Sequence, residues 1–393
     1  MPSDRDGTVG AIRQVTTPAG DPAWQVVDYD DIKTLLADPR LGRSHPDPEN
    51  APRLSSSAVL GGPSGNPDTE AEEHARMRRQ LAPAFSARRM ARLRPRIQHI
   101  VAELLDDMLA CPPPVDFHEA ISFPLPALVI CELLGVPFED REKFRRWSDD
   151  AGHMTDAERA NAGLAQLFGY MHALVRRKQA EPAEDVISLL VSAATAEAAD
   201  GADIDADSVA MLASGLLFAG HETTVTAIDR GMTLLFTNPE QRAALAADPE
   251  LTAGAVEEIL RAAMPLSGVR EREKDVGLPR YANADIEFGG VTIRAGDLVL
   301  LGLQLANQDR EHFPEPERFD VRRTQNPHLT FGYGPRFCLG APLARLELHE
   351  LFAALPQRCP DLSLAVPVEE LRVRDELLTG GLARLPVTWP APA

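Results

Sequence analysis

Residues 331–340 read FGYGPRFCLG, which sets a single cysteine, Cys338, among Gly332, Gly334 and Gly340, with Arg336 two positions before it. A disulfide needs a second cysteine at a fixed separation. Zinc needs several ligands at short spacing. The other cysteines, Cys111, Cys131 and Cys359, are scattered and form no CxxC pair. They read as reduced, inert thiols. The sulfur of Cys338 therefore has another use, unless it is a buried cysteine in a tight turn.

The chemistry of the loop points to a metal. The glycines permit backbone turns that a Cβ resists and let N–H groups approach the sulfur. The following run, LGAPLARLELHELFAAL, is an amphipathic helix whose N-terminal dipole favours a thiolate. One thiolate is enough for iron when a porphyrin supplies the other four donors.

The rest of the composition sets bounds. The chain has 393 residues, 44% of them hydrophobic, and a formal net charge of −19, ample for a core and unsuited to nucleic acid or an anionic membrane. The start MPSDRDGTVG lacks a signal peptide's basic and apolar regions. The apolar stretches Leu125–Val136 and Val209–Gly220 are too short to span a bilayer. A cytoplasmic protein is expected. Apolar residues recur at three-to-four spacing over 71–110, 119–135, 139–150, 157–180, 206–236 and 250–263, which predicts helices. Strand-like runs are fewer: Trp24–Tyr29, Asp285–Ile293, Asp297–Leu303 and Leu385–Trp389. No linker divides the chain, so a single domain over 1–393 is expected, mainly α with small β-sheets.

FGYGPRFCLGAPLAR resembles the haem-binding signature FxxGxRxCxG of the cytochrome P-450 family, with Phe331, Gly334, Arg336, Cys338 and Gly340 in place. The resemblance implies the fold of that family, a helical prism holding haem b between a distal and a proximal helix, with Cys338 as the iron ligand. Other segments agree in kind and order. AGHETT (219–224) resembles the oxygen-activation motif [AG]Gx[DE]T[TS], which makes Ala219 and Gly220 small residues beside the cofactor and Glu222 and Thr223 its proton-handling pair. Thr223 can bond back to a carbonyl one turn earlier and open the helix there. Taken alone, AGHETT also suits a plain helix crossing.

Further motifs extend the resemblance over roughly residues 70–350. EILR supplies Glu258 and Arg261, three apart on one helix face, and FPEPERFD supplies Arg318; the family joins such residues in a Glu-Arg-Arg cluster that supports the cysteine loop. In EEHARMRR, His74 and Arg78 are four apart on one face, where the family sets a His and an Arg against the haem propionates. Arg280, in RYANADIEFGGVTI, and Arg336 are further propionate candidates, as Arg270 and Arg272 are weaker ones. Gly332 completes the cofactor-binding set. The segment Met264–Pro279 is longer than usual for the family, which leaves the pocket shape there open.

The implied activity is insertion of one oxygen atom of O2 into a bulky, largely apolar small molecule, by hydroxylation or epoxidation. Leu212, Leu216, Leu266, Val269 and Leu378 are the pocket residues the resemblance suggests. No flavin or iron–sulfur motif is present, so electrons come from a ferredoxin and its reductase, steered by the arginines at 76, 79, 88, 89, 92, 94 and 345. A monomer is expected. With 4 lysines against 36 arginines the chain associates with high-GC actinobacteria, whose relatives tailor polyketides and other secondary metabolites. Oxidative coupling or peroxide-driven oxidation on the same haem, and a non-catalytic partner protein, are the alternatives.

Overall fold

The computed structural model describes residues 12–55, 61–153, 156–197, 205–262, 277–374 and 381–390. Leu266, Val269 and Leu378, with Arg270 and Arg272, lie outside them. The chain forms two compact units. One comprises Met1–Ala75, Leu260–Arg318 and Gln325–Cys338; the other comprises Arg76–Ile259, Phe319–Thr324 and Leu339–Ala393.

The first unit is built on a five-stranded sheet. Its strands are β1 (Ile12–Thr16), β2 (Pro22–Val26), β3 (Leu41–Gly42), β5 (Leu278–Ala282) and β8 (Leu298–Leu301), in the order β1-β2-β8-β5-β3. All pairings are antiparallel except β2 with β8, where Trp24 faces Val299 and Val26 faces Leu301. The Trp24 indole N–H donates to Asp297 Oδ2 at 2.9 Å and pins the register. A hairpin, β6 (Ile286–Phe288) with β7 (Val291–Ile293), completes the strands of this unit among the described residues. Helix α1 (Tyr29–Ala37) buries Ile32 and Leu35 against Val26, Val299, Leu301 and Phe313. The expected strand Trp24–Tyr29 stops at Val26, because the Asp28 carboxylate caps the Asp31 N–H at 3.0 Å and starts this helix instead.

Helix α2 (Glu70–Leu81) leads into the second unit, which is mainly helical: α3 (Ala87–Ala110), α4 (Pro124–Leu134), α5 (Arg141–Ala151), α6 (Ala157–Ala180), α7 (Val186–Glu197), α8 (Ala206–Thr237), α9 (Pro239–Ala247) and α10 (Thr252–Ala262). After the short helix α11 (Leu303–Ala306) of the first unit comes α12 (Ala341–Arg358), with Pro342 in its opening turn. A small sheet, β4 (Val115–Asp116), β10 (Pro386–Thr388) and β9 (Ser363–Leu364), lies in the second unit. The expected helix over 71–110 is broken at Ala82–Phe85 by a short 3-10 turn carrying Pro83, and Ser86 caps the second half.

The axis of the second unit is α8. Asp205 caps it by accepting from the Ser208 N–H at 3.0 Å, and 32 residues follow without interruption. It packs against α4, α6 and α7. Two of its glycines exist for packing. A Cβ on Gly220 would lie 3.0 Å from Ile130 Cδ1, and one on Gly231 would lie 2.6 Å from Phe352 Cζ and 2.9 Å from Ile259 Cγ2.

That second contact decides between opposed effects. Gly231→Ala gains about 1 kcal/mol in helix propensity, whereas overpacking a filled core costs about 1–3 kcal/mol. A contact under 3 Å with an aromatic ring puts this site at the upper end, so we expect net destabilisation, read as a lower midpoint in urea.

Candidate functional site

The cysteine loop is held from behind by a buried polar circuit. Asn307 is fully buried; its side-chain oxygen accepts from the Leu329 N–H at 2.7 Å and its amide donates to Thr330 Oγ1 at 2.9 Å. The Thr330 hydroxyl in turn donates to the Leu260 carbonyl at 2.9 Å. Arg261, also fully buried, donates to the carbonyls of Asn307 (3.0 Å), Pro316 (2.9 Å) and Arg318 (3.4 Å). Downstream the loop closes on itself, with Gly332 N–H to Leu329 O at 2.7 Å and Cys338 N–H to Phe331 O at 2.8 Å. Gly332 (φ +72°) and Gly334 (φ +70°) adopt the left-handed backbone that this closure needs, while Gly340, at φ −77°, begins α12 in an ordinary conformation. The Cys338 thiol is exposed and free of any disulfide, and Phe331 is half-buried beside Phe337.

Glu258 is fully buried in the second unit, accepting from the Asp320 N–H at 3.0 Å and from Arg323 Nε at 3.0 Å. Arg318, expected beside Glu258, has a side chain that is 59% exposed and meets Glu315 at 3.5 Å, and its carbonyl accepts from Arg261. Arg323, five residues on, sets a guanidinium on Glu258 that no motif signalled.

A cationic cluster lies in the first unit. Arg280, on β5, is buried. Burial, then the charges of Arg43 and Arg336, pull it down to about 9. Burial and Arg336 likewise lower Arg43. The nearby carboxylate is Glu70. Burial would raise it, but the Ser44 hydroxyl, the N–H groups of Arg43 and Ser44 (2.8 and 2.9 Å) and an ion pair with Arg336 hold it below the usual range. Among the described residues, three guanidiniums thus face one carboxylate in a desolvated place, an excess that suits a dianion such as a pair of propionates. His74 and Arg78 are half-buried on one face of α2, while their neighbours Glu72, Glu73, Arg76 and Arg79 are exposed.

On α8 the motif residues divide between two faces. Met211, Gly215, Ala219 and Thr223, spaced four apart, form an exposed stripe flanked by the half-buried Leu212 and Leu216. The Thr223 hydroxyl donates to the Ala219 carbonyl at 2.8 Å, and Thr224 does the same to Gly220 at 3.2 Å. The back-bonding is as expected, yet the helix stays continuous rather than opening. Gly220 turns to Ile130, so its missing Cβ makes room for α4. Glu222 is buried at 3% exposure, with Arg374 Nη2 at 4.0 Å and His221 Nδ1 at 3.8 Å. Burial pulls His221 down to about 4, so its ring is neutral at pH 7 and meets the Phe123 carbonyl at 3.3 Å.

The remaining thiols differ in access. Cys131 is buried, which pushes it up to about 12, and burial raises Cys359 too. Cys111 is exposed at the end of α3. The sequence reading missed Arg43, Glu70, Asn307, Arg323 and Arg374; each is a single polar residue whose partner is distant or outside any motif.

A thiol in a glycine-turned loop and a buried cationic cluster, both in the first unit, suit a haem held by one thiolate, and the donor set fits that group. The Cytochrome P450 family profile matches residues 151–362. Pentalenolactone synthase of Streptomyces exfoliatus is 42% identical over 97% of this chain and 93% of its own. The mycinamicin IV hydroxylase/epoxidase of Micromonospora griseorubida is 41% identical over 96% and 92%. The X-ray structure of substrate-free cytochrome P450 PimD, a polyene macrolide antibiotic pimaricin epoxidase, matches with TM-score 0.82 and 42% identity over 97% of this chain and 93% of that one. The chain belongs to the cytochrome P450 family and has its fold. It is an oxygen-using oxidoreductase whose cofactor is haem b and which works with a substrate, dioxygen and redox partners. Among the described residues, no helix is long and apolar enough to cross a membrane.

Glu258→Ala removes the acceptor of a buried guanidinium and of the Asp320 N–H. Breaking a buried pair from one side costs about 3–5 kcal/mol, and we expect a loss of that size, read from the denaturant midpoint of the holoprotein.

Proposed function

We propose that this chain is a haem-thiolate monooxygenase that hydroxylates or epoxidises a bulky, largely apolar metabolite of macrolide or related kind. The observation that carries the reading is Cys338: an exposed thiol in a tightly closed glycine loop that opens α12. Relatives whose names state a macrolide epoxidase and a mycinamicin hydroxylase/epoxidase support the substrate class. In this reading the whole chain acts as one domain, a cytoplasmic monomer, with a ferredoxin and its reductase as electron source. Arg76, Arg79 and Arg88 are exposed and suit an acidic donor, whereas Arg92, Arg94 and Arg345 are tied to Glu184, Glu350 and Glu257.

The residues divide the work. Cys338 ligates the iron, while Arg280, Arg336, His74 and Arg78, joined by Arg43, hold the propionates. Phe331, Gly332 and Gly340 shape the loop, and Glu258, Arg261 and Arg323 brace it. When bound, the haem supplies dioxygen binding and oxygen-atom transfer. Ala219 and Gly220 keep α8 slim, and Leu212 and Leu216 offer apolar surface to the substrate, as Leu266, Val269 and Leu378 do in the same reading. The Thr223 proton is committed to the Ala219 carbonyl, so the oxygen's lone pairs point to the open face and accept a hydrogen bond there. Glu222, buried behind the same turn, brings protons.

Two substitutions test this. The reduced, carbon monoxide-bound protein is expected to show the red-shifted Soret band of thiolate ligation, and Cys338→Ala to lose it; an alanine variant that kept the band would remove Cys338 as ligand. Thr223→Ala is expected to retain haem and substrate affinity while sending most reducing equivalents into hydrogen peroxide. Unchanged product per electron pair would take Thr223 out of the mechanism.

A further inference from the structure

Behind the open face of α8 runs a second stripe, polar and buried. Glu222, Thr226, Asp229 and Thr233 follow at spacings of four, three and four, which keeps them on one side of the helix. Their exposures are 3%, 6%, 0% and 2%. At the far end His118 Nδ1 meets Asp229 Oδ2 at 2.7 Å, with both side chains sealed. The His118 backbone N–H donates to Asp116 Oδ1 at 3.1 Å. The other oxygen of Asp116 receives Arg384 Nε at 3.1 Å, and the Arg384 side chain is 75% exposed, so solvent begins there. At the near end Arg374 lies between Glu222 (4.0 Å) and Asp149 (3.3 Å).

The middle of the stripe carries unpartnered polar atoms. Ser122 Oγ, Thr226 Oγ1, Asp229 Oδ1 and Arg374 Nε are buried without a hydrogen-bond partner. Thr226 Oγ1 and Arg374 Nη2 both border Gly381, whose Cβ, if present, would lie 3.3 and 3.6 Å from them. Such groups are costly to leave unmet when dry, and polar interior places with several such atoms hold water. From Asp229 to Glu222 is seven residues, about 10 Å of helix, with Thr226 between.

We propose that the His118–Asp229 pair feeds protons to Glu222 along this stripe, through water held by Ser122, Thr226 and Asp229, with Arg374 as the positioning residue that holds Glu222. The proposal rests on the reading of Glu222 as the proton carrier of the site. One proton reaches the His118 ring from solvent for each that leaves Asp229 toward Glu222, and no electrons move. The charged or titratable groups around His118 are Asp229 on α8, Asp116 on β4, Arg374 on the C-terminal segment, Glu119 beside it and His221. Burial pulls His118 down, but the hydrogen bond and charge of Asp229 outweigh it and Arg374, so the ring is raised above 6.5. It is protonated below that raised value and loses its proton as pH climbs through it.

The test uses the holoenzyme with a substrate that shifts its spin state. Asp229→Asn and His118→Gln remove the pair, and Gly381→Ala crowds Thr226 Oγ1 and Arg374 while keeping every relay side chain in place. Each is expected to lower product per reducing equivalent by about tenfold or more, to enlarge the solvent deuterium effect on that ratio, and to leave the Soret band and substrate affinity unchanged. Arg374→Lys is expected to retain what Arg374→Ala loses. Wild-type coupling is expected to fall as pH rises through the His118 value. That value is read directly by 15N NMR of the diamagnetic ferrous carbon monoxide form, and it should drop in Asp229→Asn. Normal coupling in the three variants alongside an uncoupled Glu222→Gln would overturn the relay and leave the proposed function standing. Normal coupling in Glu222→Gln as well would overturn both.

Discussion

Arg261 has no contact with water, and a guanidinium so placed must find its acceptors in the protein or cost several kcal/mol. Its acceptors are main-chain carbonyls of Asn307, Pro316 and Arg318, which fixes the path of irregular chain that no helix or strand would fix. The Asn307 side chain then carries the order forward to Leu329 and Thr330, and Thr330 returns it to Leu260, the residue next to Arg261. The circuit is closed. Residue 338 is reached eight residues after it through two left-handed glycines, so the position of the sulfur depends on one buried side chain more than 70 residues earlier in the chain.

A different imbalance governs the cationic cluster. Glu70 takes donors from Arg43, Ser44 and Arg336, while burial and the like charges of Arg43 and Arg336 weigh on Arg280. Such a place tolerates its cations poorly with one carboxylate alone, and binding of a further anion there stabilises the folded state. Structure and ligand affinity are linked through the same three guanidiniums. The order of the loop around Ser44 and Arg43 belongs to that linkage.

Helices with a one-sided apolar pattern and strong caps were legible along the chain, as in α6 and α8. Helix α7, VISLLVSAATAE, was not: a nearly continuous apolar run has no period to read. Helix α1 was hidden because its apolar residues continue those of β2, and only the Asp28 cap separates them. The site was legible where chemistry is packed into a few consecutive residues, at 331–340 and 219–224. It was not legible where a partner comes from far away. Arg323 meets Glu258 from 65 residues away through irregular chain, and spacing carries no such information. Motif letters also left direction open: Gly220 faces Ile130, and Glu222 points away from the face that Thr223 shares.

The unequal burial of the thiols has a practical consequence for labelling. Cys131 and Cys359 are sealed and held in the thiol form, and a nucleophile must be both accessible and ionised to react with an alkylating dye. Once the Cys338 sulfur is committed to iron, Cys111 is the cysteine left at the surface. A maleimide fluorophore should therefore add with a stoichiometry near one to the loaded protein and near two to the stripped one, a colour count that reports cofactor occupancy without reference to turnover.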